Sequence, residues 1–176
     1  MPSVLIAGSG GQGILFFGKL IAQTAMREGR NVTWFPSYGA EMRGGTANCV
    51  VIVSEEVIGS PIVRDPDMLV VLNSASLEKF QSRLKPNGIL ILDSSLVKGQ
   101  LRDDVRVLSV PATDIALSLG NPKSANMVLL GAVIAASGLV SEEGAMNALK
   151  ELTPARRVKD LDANRAAIKK GMEHLR

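Results

Sequence analysis

The chain alternates between short apolar stretches and longer segments whose apolar residues recur at helical spacing. The short stretches predict strands at residues 3–7, 31–35, 46–54, 68–72, 89–93 and 105–110. The longer segments predict helices at residues 14–28, 77–84, 125–137 and 141–152, with two more opening at residue 111 and after residue 153. This alternation indicates an α/β fold: a single three-layer domain over residues 1–176, with a mainly parallel, Rossmann-like sheet, an edge hairpin and a helical C-terminus.

Two segments refine that picture. Glu55 and Glu56 predict a turn into Val57 and Ile58, which would form the short hairpin at the sheet edge. Residues 125–137 are apolar on all sides, so we expect a helix buried either in the core or against another subunit. Asn126, in its first turn, is therefore a candidate either to pair with backbone or to reach a functional site.

The first predicted strand ends in a glycine-rich turn, Gly8-Ser9-Gly10-Gly11-Gln12-Gly13, which leads directly into a helix. Gly8, Gly10 and Gly13 satisfy the G-x-G-x-x-G spacing of a nucleotide phosphate loop. Residues without a Cβ let the backbone reach positive φ and approach a ligand closely. The helix that follows presents unpaired N–H groups and the positive end of its dipole to an anion. The turn is therefore a candidate phosphate site, although any tight strand-to-helix turn also favours glycine.

A dinucleotide domain places an acidic residue near the end of its second strand, where it binds the ribose hydroxyls. In this chain the corresponding stretch is Thr33-Trp34-Phe35-Pro36-Ser37, which contains neither an acid nor an arginine. This absence weakens an assignment to NAD(P).

A second glycine-rich loop follows that strand, and reads Pro36-Ser37-Tyr38-Gly39-Ala40-Glu41-Met42-Arg43-Gly44-Gly45. Loops at the carboxyl ends of parallel strands often carry function in α/β folds. We therefore expect this loop and the Gly8–Gly13 turn to share one rim of the sheet, although a surface turn with a local ion pair is the simpler interpretation.

Other polar residues are more modest candidates. Asp93, Ser94 and Ser95 end a predicted strand, where they either reach a ligand or cap their own turn. Cys49 has no histidine near it in sequence and is expected to be a small core residue. His174, the only histidine, is expected to face solvent.

Composition sets the class of protein. The chain has 176 residues, of which 46% are hydrophobic and 3% aromatic, so its core must consist largely of aliphatic side chains. One cysteine excludes an internal disulfide and favours a reducing, cytoplasmic setting. No signal-peptide pattern or membrane-spanning run is expected. The net charge is +3, and the cations are concentrated beyond residue 149; no aromatic residue interleaves them, so nucleic acid binding is not favoured.

The two glycine motifs in this order resemble the gamma subunit of the 2-oxoacid:ferredoxin (acceptor) oxidoreductases, which include the pyruvate, 2-oxoglutarate and branched-chain oxoacid enzymes. The resemblance continues through Asn126-Met-Val-Leu-Leu130-Gly131 and covers nearly the whole chain. It implies a complex that decarboxylates a 2-oxoacid oxidatively to acyl-CoA and reduces ferredoxin. Such a complex uses thiamine diphosphate, Mg, iron–sulfur clusters and CoA.

The chain carries no thiamine diphosphate motif, too few cysteines for a cluster and no catalytic set of its own. The resemblance therefore implies a non-catalytic component without a metal site, which assembles with thiamine-binding alpha and beta subunits and a ferredoxin-like delta subunit. No membrane partner is expected, and the isolated chain is expected to self-associate through its apolar helices.

Two roles for such a component stay open. Gly8, Gly10, Gly11, Gln12 and Gly13, with Arg43 nearby, are hypothesised to bind the CoA phosphates. In the second role, rim residues bind a partner subunit; the candidates are Ser37, Tyr38, Glu41, Gly44, Gly45 and Asn126. A standalone NAD(P)- or flavin-binding protein is the alternative from another class, and a basic nucleic-acid-binding module is a further one.

Overall fold

The computed structural model describes residues 1–37 and 46–176. Its strands are β1 (Ser3–Ser9), β2 (Asn31–Ser37), β3 (Thr46–Ser54), β4 (Met68–Val71), β5 (Ile89–Asp93) and β6 (Arg106–Val110). Its helices are α1 (Ile14–Arg27), α2 (Ser74–Phe80), α3 (Ala112–Ser118), α4 (Ala125–Ser137), α5 (Glu142–Leu152) and α6 (Asp160–His174). The predicted α/β class is confirmed.

The six strands form one sheet in the order β2-β3-β1-β4-β5-β6. Strands β1, β4, β5 and β6 are mutually parallel, whereas β3 runs antiparallel to both of its neighbours, β1 and β2. Helix α1 connects β1 to β2, and these two strands are parallel. They are not adjacent in the sheet, because β3 lies between them.

The edge hairpin exists but involves different strands from those expected. It consists of β2 and β3, whereas Val57 and Ile58 lie in no strand. Ile58 instead packs against the apolar cluster on one face of the sheet, so the segment after β3 covers the sheet rather than extending it.

Alternation along the strands produces two cores, one on each face of the sheet. In β1, Val4 and Ile6 point into the larger core, and Leu5 and Ala7 point into the smaller one, since successive side chains project to opposite faces. Helices α1, α3, α4, α5 and α6 cover the larger core, and only α2 among the described helices contributes to the smaller one.

Helix ends largely follow the expected capping rules. Asn73 Oδ1 accepts a hydrogen bond from Ser76 N at 2.8 Å, and Ser141 Oγ accepts one from Gly144 N at 2.9 Å, so these side chains cap α2 and α5. Two helix starts do not follow this pattern. Ser124, before α4, makes no side-chain cap, and the segment after residue 153 first forms the 3₁₀ turn Ala155–Arg157, so the last helix begins only at Asp160.

The apolar helix α4 is buried within the chain, and residues 126–134 are almost entirely inaccessible. It packs against α6 so closely that a side chain at Gly131 would collide with the Ile168 carbonyl, and one at Gly171 with the Val128 carbonyl. Because α4 is covered by the chain's own helices, it supplies no exposed apolar face, and self-association remains a prediction without that support.

We expect Gly131→Ala and Gly171→Ala to destabilise the protein. Each added methyl meets backbone that cannot rotate away, so α4 and α6 must separate, at a cost of about 1–3 kcal/mol that outweighs the better helix propensity of alanine. Urea unfolding of each variant measures this cost. Gly59→Ala is the control, because a Cβ there meets nothing within 4 Å and should leave the unfolding free energy unchanged or slightly higher. Equal stability of all three variants would contradict the close packing.

Candidate functional site

The site lies where β1 and β4 end side by side. The connection after β1 runs through α1 on one face of the sheet toward β2, and the connection after β4 runs through α2 on the other face toward β5. Such a divergence creates a crevice outside the carboxyl ends of the two strands, where open α/β sheets bind ligands. The glycine turn, residues Gly8–Gly13, occupies this position.

Gln12 stabilises the glycine turn through hydrogen bonds of both its amide oxygen and its amide nitrogen. Its Oε1 accepts a hydrogen bond from Ser9 N at 2.7 Å, and its Nε2 donates to the Leu72 carbonyl at 3.1 Å. The side chain therefore ties β1 to the end of β4. The neighbouring Asn73 Nδ2 donates to Ser9 Oγ at 2.6 Å and adds a second link. Gln12 thus has a structural role that accounts for its amide without a ligand.

The glycines of the turn serve different purposes. Gly8 lies in β1, where a Cβ would approach Gln12 Oε1 to 2.6 Å and Ile14 Cδ1 to 2.7 Å. Gly13 has φ 71° and a Cβ there would collide with the Asn126 amide. Gly11 has φ 91° and open space around it, and Gly10 is also exposed. Packing explains Gly8 and Gly13, so only Gly10 and Gly11 are left to face a ligand.

Asn126 joins the turn to α4. It is 7% exposed, its Nδ2 donates to the Gly13 carbonyl at 3.2 Å, and its Oδ1 accepts from Met127 N at 2.9 Å. The same Gly13 carbonyl accepts the first helical bond of α1, from Phe17 N at 3.0 Å. Asn126 therefore pairs with backbone, the first of its two expected roles, and restrains the N-terminus of α1. Its expected contact with a functional site stays a prediction.

The second glycine-rich loop is described only at its ends. Tyr38, Glu41, Arg43, Gly44 and Gly45 lie outside the described residues, and their predicted roles stay predictions. Ser37 ends β2 in register with Asn48, and Thr46 begins β3 opposite Ser9. The loop thus returns to the sheet beside the glycine turn, which supports the expectation of one shared rim.

A cleft of about 550 Å³ opens from Gly11 and Gly13 between α1, α4 and α6. Lys123 and Arg157 line it, together with Asp160, and neither cation was identified from the sequence. No local sequence pattern indicates a function for Lys123. Arg157 lies in a stretch of mixed charge, which is typical of solvent-exposed surface. Their shared position arises only because α4 and α6 pack together.

Three remaining predictions are resolved by the structure. Asp93 is buried and accepts hydrogen bonds from Ser95 N, Thr113 N and Thr113 Oγ1, at 3.1, 3.2 and 2.6 Å, so it caps its own turn and the start of α3. Cys49 is a core residue, and burial raises the pKa of its thiol to about 12, which leaves it un-ionised at neutral pH. His174 is exposed.

The described residues offer no set of ligands for a metal ion or an iron–sulfur cluster. Among residues 1–37 and 46–176, no group of three or more histidine, cysteine, aspartate or glutamate side chains could hold a metal ion. The sequence contains one cysteine, whereas a cluster of the common types needs several. In the same part of the chain, no helix is long and apolar enough to cross a bilayer.

The strand order explains why the acidic residue that binds the ribose in a dinucleotide domain is absent at the end of β2. Because β3 separates β1 from β2, the end of β2 lies two strand spacings, roughly 10 Å, from the end of β1. An acidic residue there would not occupy the position next to the glycine turn that it has in a dinucleotide domain. The topology thus gives no support to an NAD(P) or flavin site of that type.

We expect Gly13→Ala to cost more stability than Gly11→Ala. Both impose a left-handed conformation on alanine, which costs about 1–2 kcal/mol, but only Gly13→Ala also displaces the Asn126 amide. Removing that amide with Asn126→Ala should therefore offset part of the Gly13→Ala cost. A coupling of about 0.5–3 kcal/mol in a double-mutant cycle is expected for this pair, and none beyond ~0.5 kcal/mol for Gly11→Ala with Asn126→Ala. Additive effects in both cycles, measured by urea unfolding, would show that Asn126 does not restrain Gly13.

Comparison with known proteins identifies the family of this chain. Residues 3–174 match the family described as pyruvate ferredoxin/flavodoxin oxidoreductase. The ketoisovalerate oxidoreductase subunit VorA of Methanothermobacter thermautotrophicus is 43% identical over 175 residues, which are 98% of this chain and 36% of VorA. The chain thus spans about a third of the length of that relative.

Two solved structures share the fold. The gamma subunit of a keto/oxoacid ferredoxin oxidoreductase from Geobacter sulfurreducens superposes with a TM-score of 0.87 and 29% identity, covering 99% of this chain and 98% of that one. The second is the 2-oxoglutarate:ferredoxin oxidoreductase from Magnetococcus marinus, which was solved with 2-oxoglutarate, coenzyme A and succinyl-CoA bound. It superposes with a TM-score of 0.90 and 25% sequence identity, and the match covers 99% of this chain and 31% of that one. The chain therefore belongs to the pyruvate ferredoxin/flavodoxin oxidoreductase family and is of its gamma type.

Proposed function

We propose that this chain, as one domain over residues 1–176, is the gamma component of a complex that oxidatively decarboxylates a 2-oxoacid to acyl-CoA with ferredoxin as electron acceptor. Its family membership supports the assignment. Since residues 1–37 and 46–176 form no metal site and the sequence has a single cysteine, too few for a cluster, thiamine diphosphate, Mg and the iron–sulfur clusters would belong to companion chains.

We propose that its partners are thiamine-binding alpha and beta subunits and a ferredoxin-like delta subunit. We also propose that the complex is located in the cytoplasm. The lengths of the relatives support a role as a component. The Geobacter gamma subunit is nearly the same size as this chain, whereas in VorA the matching part is 36% of a longer polypeptide. The unit thus occurs both alone and joined to other sequence.

Within the complex, we propose that the glycine turn helps to bind CoA. The observation that carries this role is Gly11, which is exposed at the N-terminus of α1 and stands at the divergence of β1 and β4. The backbone and the helix dipole there favour an anion, and CoA carries a diphosphate. The Magnetococcus relative, which shares the fold, was solved with coenzyme A bound.

Each residue has a limited task in this role. CoA, when bound, supplies the thiol that accepts the acyl group. Gly10 and Gly11 would bind its phosphates with backbone N–H groups, and Arg43 would add a positive charge from the adjoining loop. Gln12 and Asn126 would hold the turn in shape through their hydrogen bonds to Ser9, Leu72 and Gly13. The chain itself thereby binds and orients and performs no covalent step.

Gly11→Asn in the assembled complex tests the CoA role. Asparagine tolerates positive φ better than most residues, so the fold should persist while the side chain fills the open space over the turn. We expect the KM for CoA to rise about tenfold or more, with CoA-independent decarboxylation of the 2-oxoacid unchanged.

The matched control is Gly29→Asn, at the other end of α1, which also has positive φ and nothing within 4 Å. It should leave the KM for CoA unaltered. If Gly11→Asn behaves like this control, the glycine turn does not bind CoA.

The alternative role, subunit assembly, is supported by the position of the second loop, whose end at Thr46 lies beside Ser9. In that case Tyr38, Glu41 and Arg43 would contact a thiamine-binding subunit. Arg43→Ala should then reduce copurification on a size-exclusion column without changing the KM for CoA of the complex that remains. Arg27→Ala, on the exposed end of α1, is the charge-matched control. Full copurification of Arg43→Ala would contradict the assembly role of Arg43.

A further inference from the structure

We propose that the cleft between α1, α4 and α6 binds a phosphomonoester of the ligand held by the glycine turn, and that Lys123 and Arg157 determine this specificity. The proposal rests on the proposed CoA role of the turn. CoA suits it chemically, because CoA carries a 3′-phosphomonoester in addition to its diphosphate.

The cleft is continuous with the glycine turn. Gly11 and Gly13 form part of its wall, and its volume of about 550 Å³ is in the range of small-molecule sites. A ligand that places one anionic group on the turn therefore has room to extend between the helices. Phe16, Met127 and Leu152 supply apolar wall beside the polar groups, as a ligand with both a ring and phosphates requires.

The two cations approach the cleft from separate 3₁₀ turns. Lys123 lies in the turn Pro122–Ser124 before α4, and is exposed, with no ion pair to any residue of the described ranges. Arg157 lies in the turn Ala155–Arg157 before α6, and its Nε is 3.1 Å from Asp160 Oδ2. That contact uses Nε, and no contact to another described residue occupies the two terminal nitrogens, which suits them to a second anion.

Amide groups extend the donor set. Asn121, Asn126 and Asn164 all line the cleft. Asn126 is 7% exposed, and its Nδ2 has one acceptor, the Gly13 carbonyl, among the described residues, although an amide nitrogen carries two hydrogens. The second hydrogen of this buried group is a donor without a partner in the described part of the chain.

Charge density distinguishes the two phosphate groups of the ligand. The monoester concentrates roughly −1.5 to −2 on one phosphorus at pH 7 and calls for full positive charges, whereas the diphosphate spreads a similar charge over two phosphorus atoms and suits the backbone N–H groups and helix dipole of the turn. Lys123 and Arg157 supply two. Asp160 subtracts one while it orients the guanidinium, so the cleft keeps a net positive charge.

Calorimetric titration of the full chain with CoA and with dephospho-CoA, which lacks only the 3′-phosphate, tests this assignment. We expect CoA to bind at least tenfold more tightly than dephospho-CoA. Lys123→Gln and Arg157→Gln should each reduce that ratio several-fold, and together bring it close to one, with the Kd for dephospho-CoA unchanged within twofold. Asp160→Asn should increase the ratio.

Lys169→Gln is the control, because it removes the same charge from an exposed position of α6 that does not line the cleft. It should leave the ratio unaltered, and circular dichroism should confirm the fold of every variant. If CoA binds but both cleft variants keep the wild-type ratio, or if the wild type does not discriminate, the specificity assignment is wrong and the CoA role stands. If neither compound binds, both proposals fail for this chain.

Discussion

The hydrogen bond from Asn126 to the Gly13 carbonyl connects the parts of this molecule that concern function. Gly13 is the last residue before α1, and Asn126 belongs to the first turn of α4, so one bond positions the N-termini of two helices relative to each other. The bond is possible because Gly13 has no Cβ to displace the amide. The end of β1, the anion-attracting end of α1 and one wall of the cleft all depend on this arrangement.

A second constraint acts from behind the site. Helix α4 contacts α6 through Gly131 and Gly171, at a separation that admits no side chain. This contact brings the segment before α6, with Arg157, to the same cleft as Lys123 before α4. The apolar character of α4 therefore serves the internal packing of the chain, and the candidate binding surface consists of polar turns at the helix ends.

Together these features support the proposal of a component that binds a ligand. The described residues offer backbone N–H groups, amides and two cations around a cleft, and Cys49 is buried with a raised pKa. Such groups suit the phosphorylated ligand proposed for this site, and they would complement the redox and thiamine chemistry proposed for companion chains. The inserted strand β3 also distinguishes this crevice from a dinucleotide site built on the same glycine spacing.

The sequence by itself determined the α/β class, most strand and helix positions, the burial of α4 and the strand-to-helix glycine turn, because hydrophobic periodicity and glycine placement are local properties. It also pointed to Asn126, as a polar residue in an apolar helix. Only the tertiary structure decided that β3 lies between β1 and β2, that Gly8 and Gly13 serve packing while Gly11 stays open, and that Lys123 and Arg157 share one cleft. These facts depend on which distant segments pack together, and neither the spacing nor the type of residues along the chain encodes that choice locally.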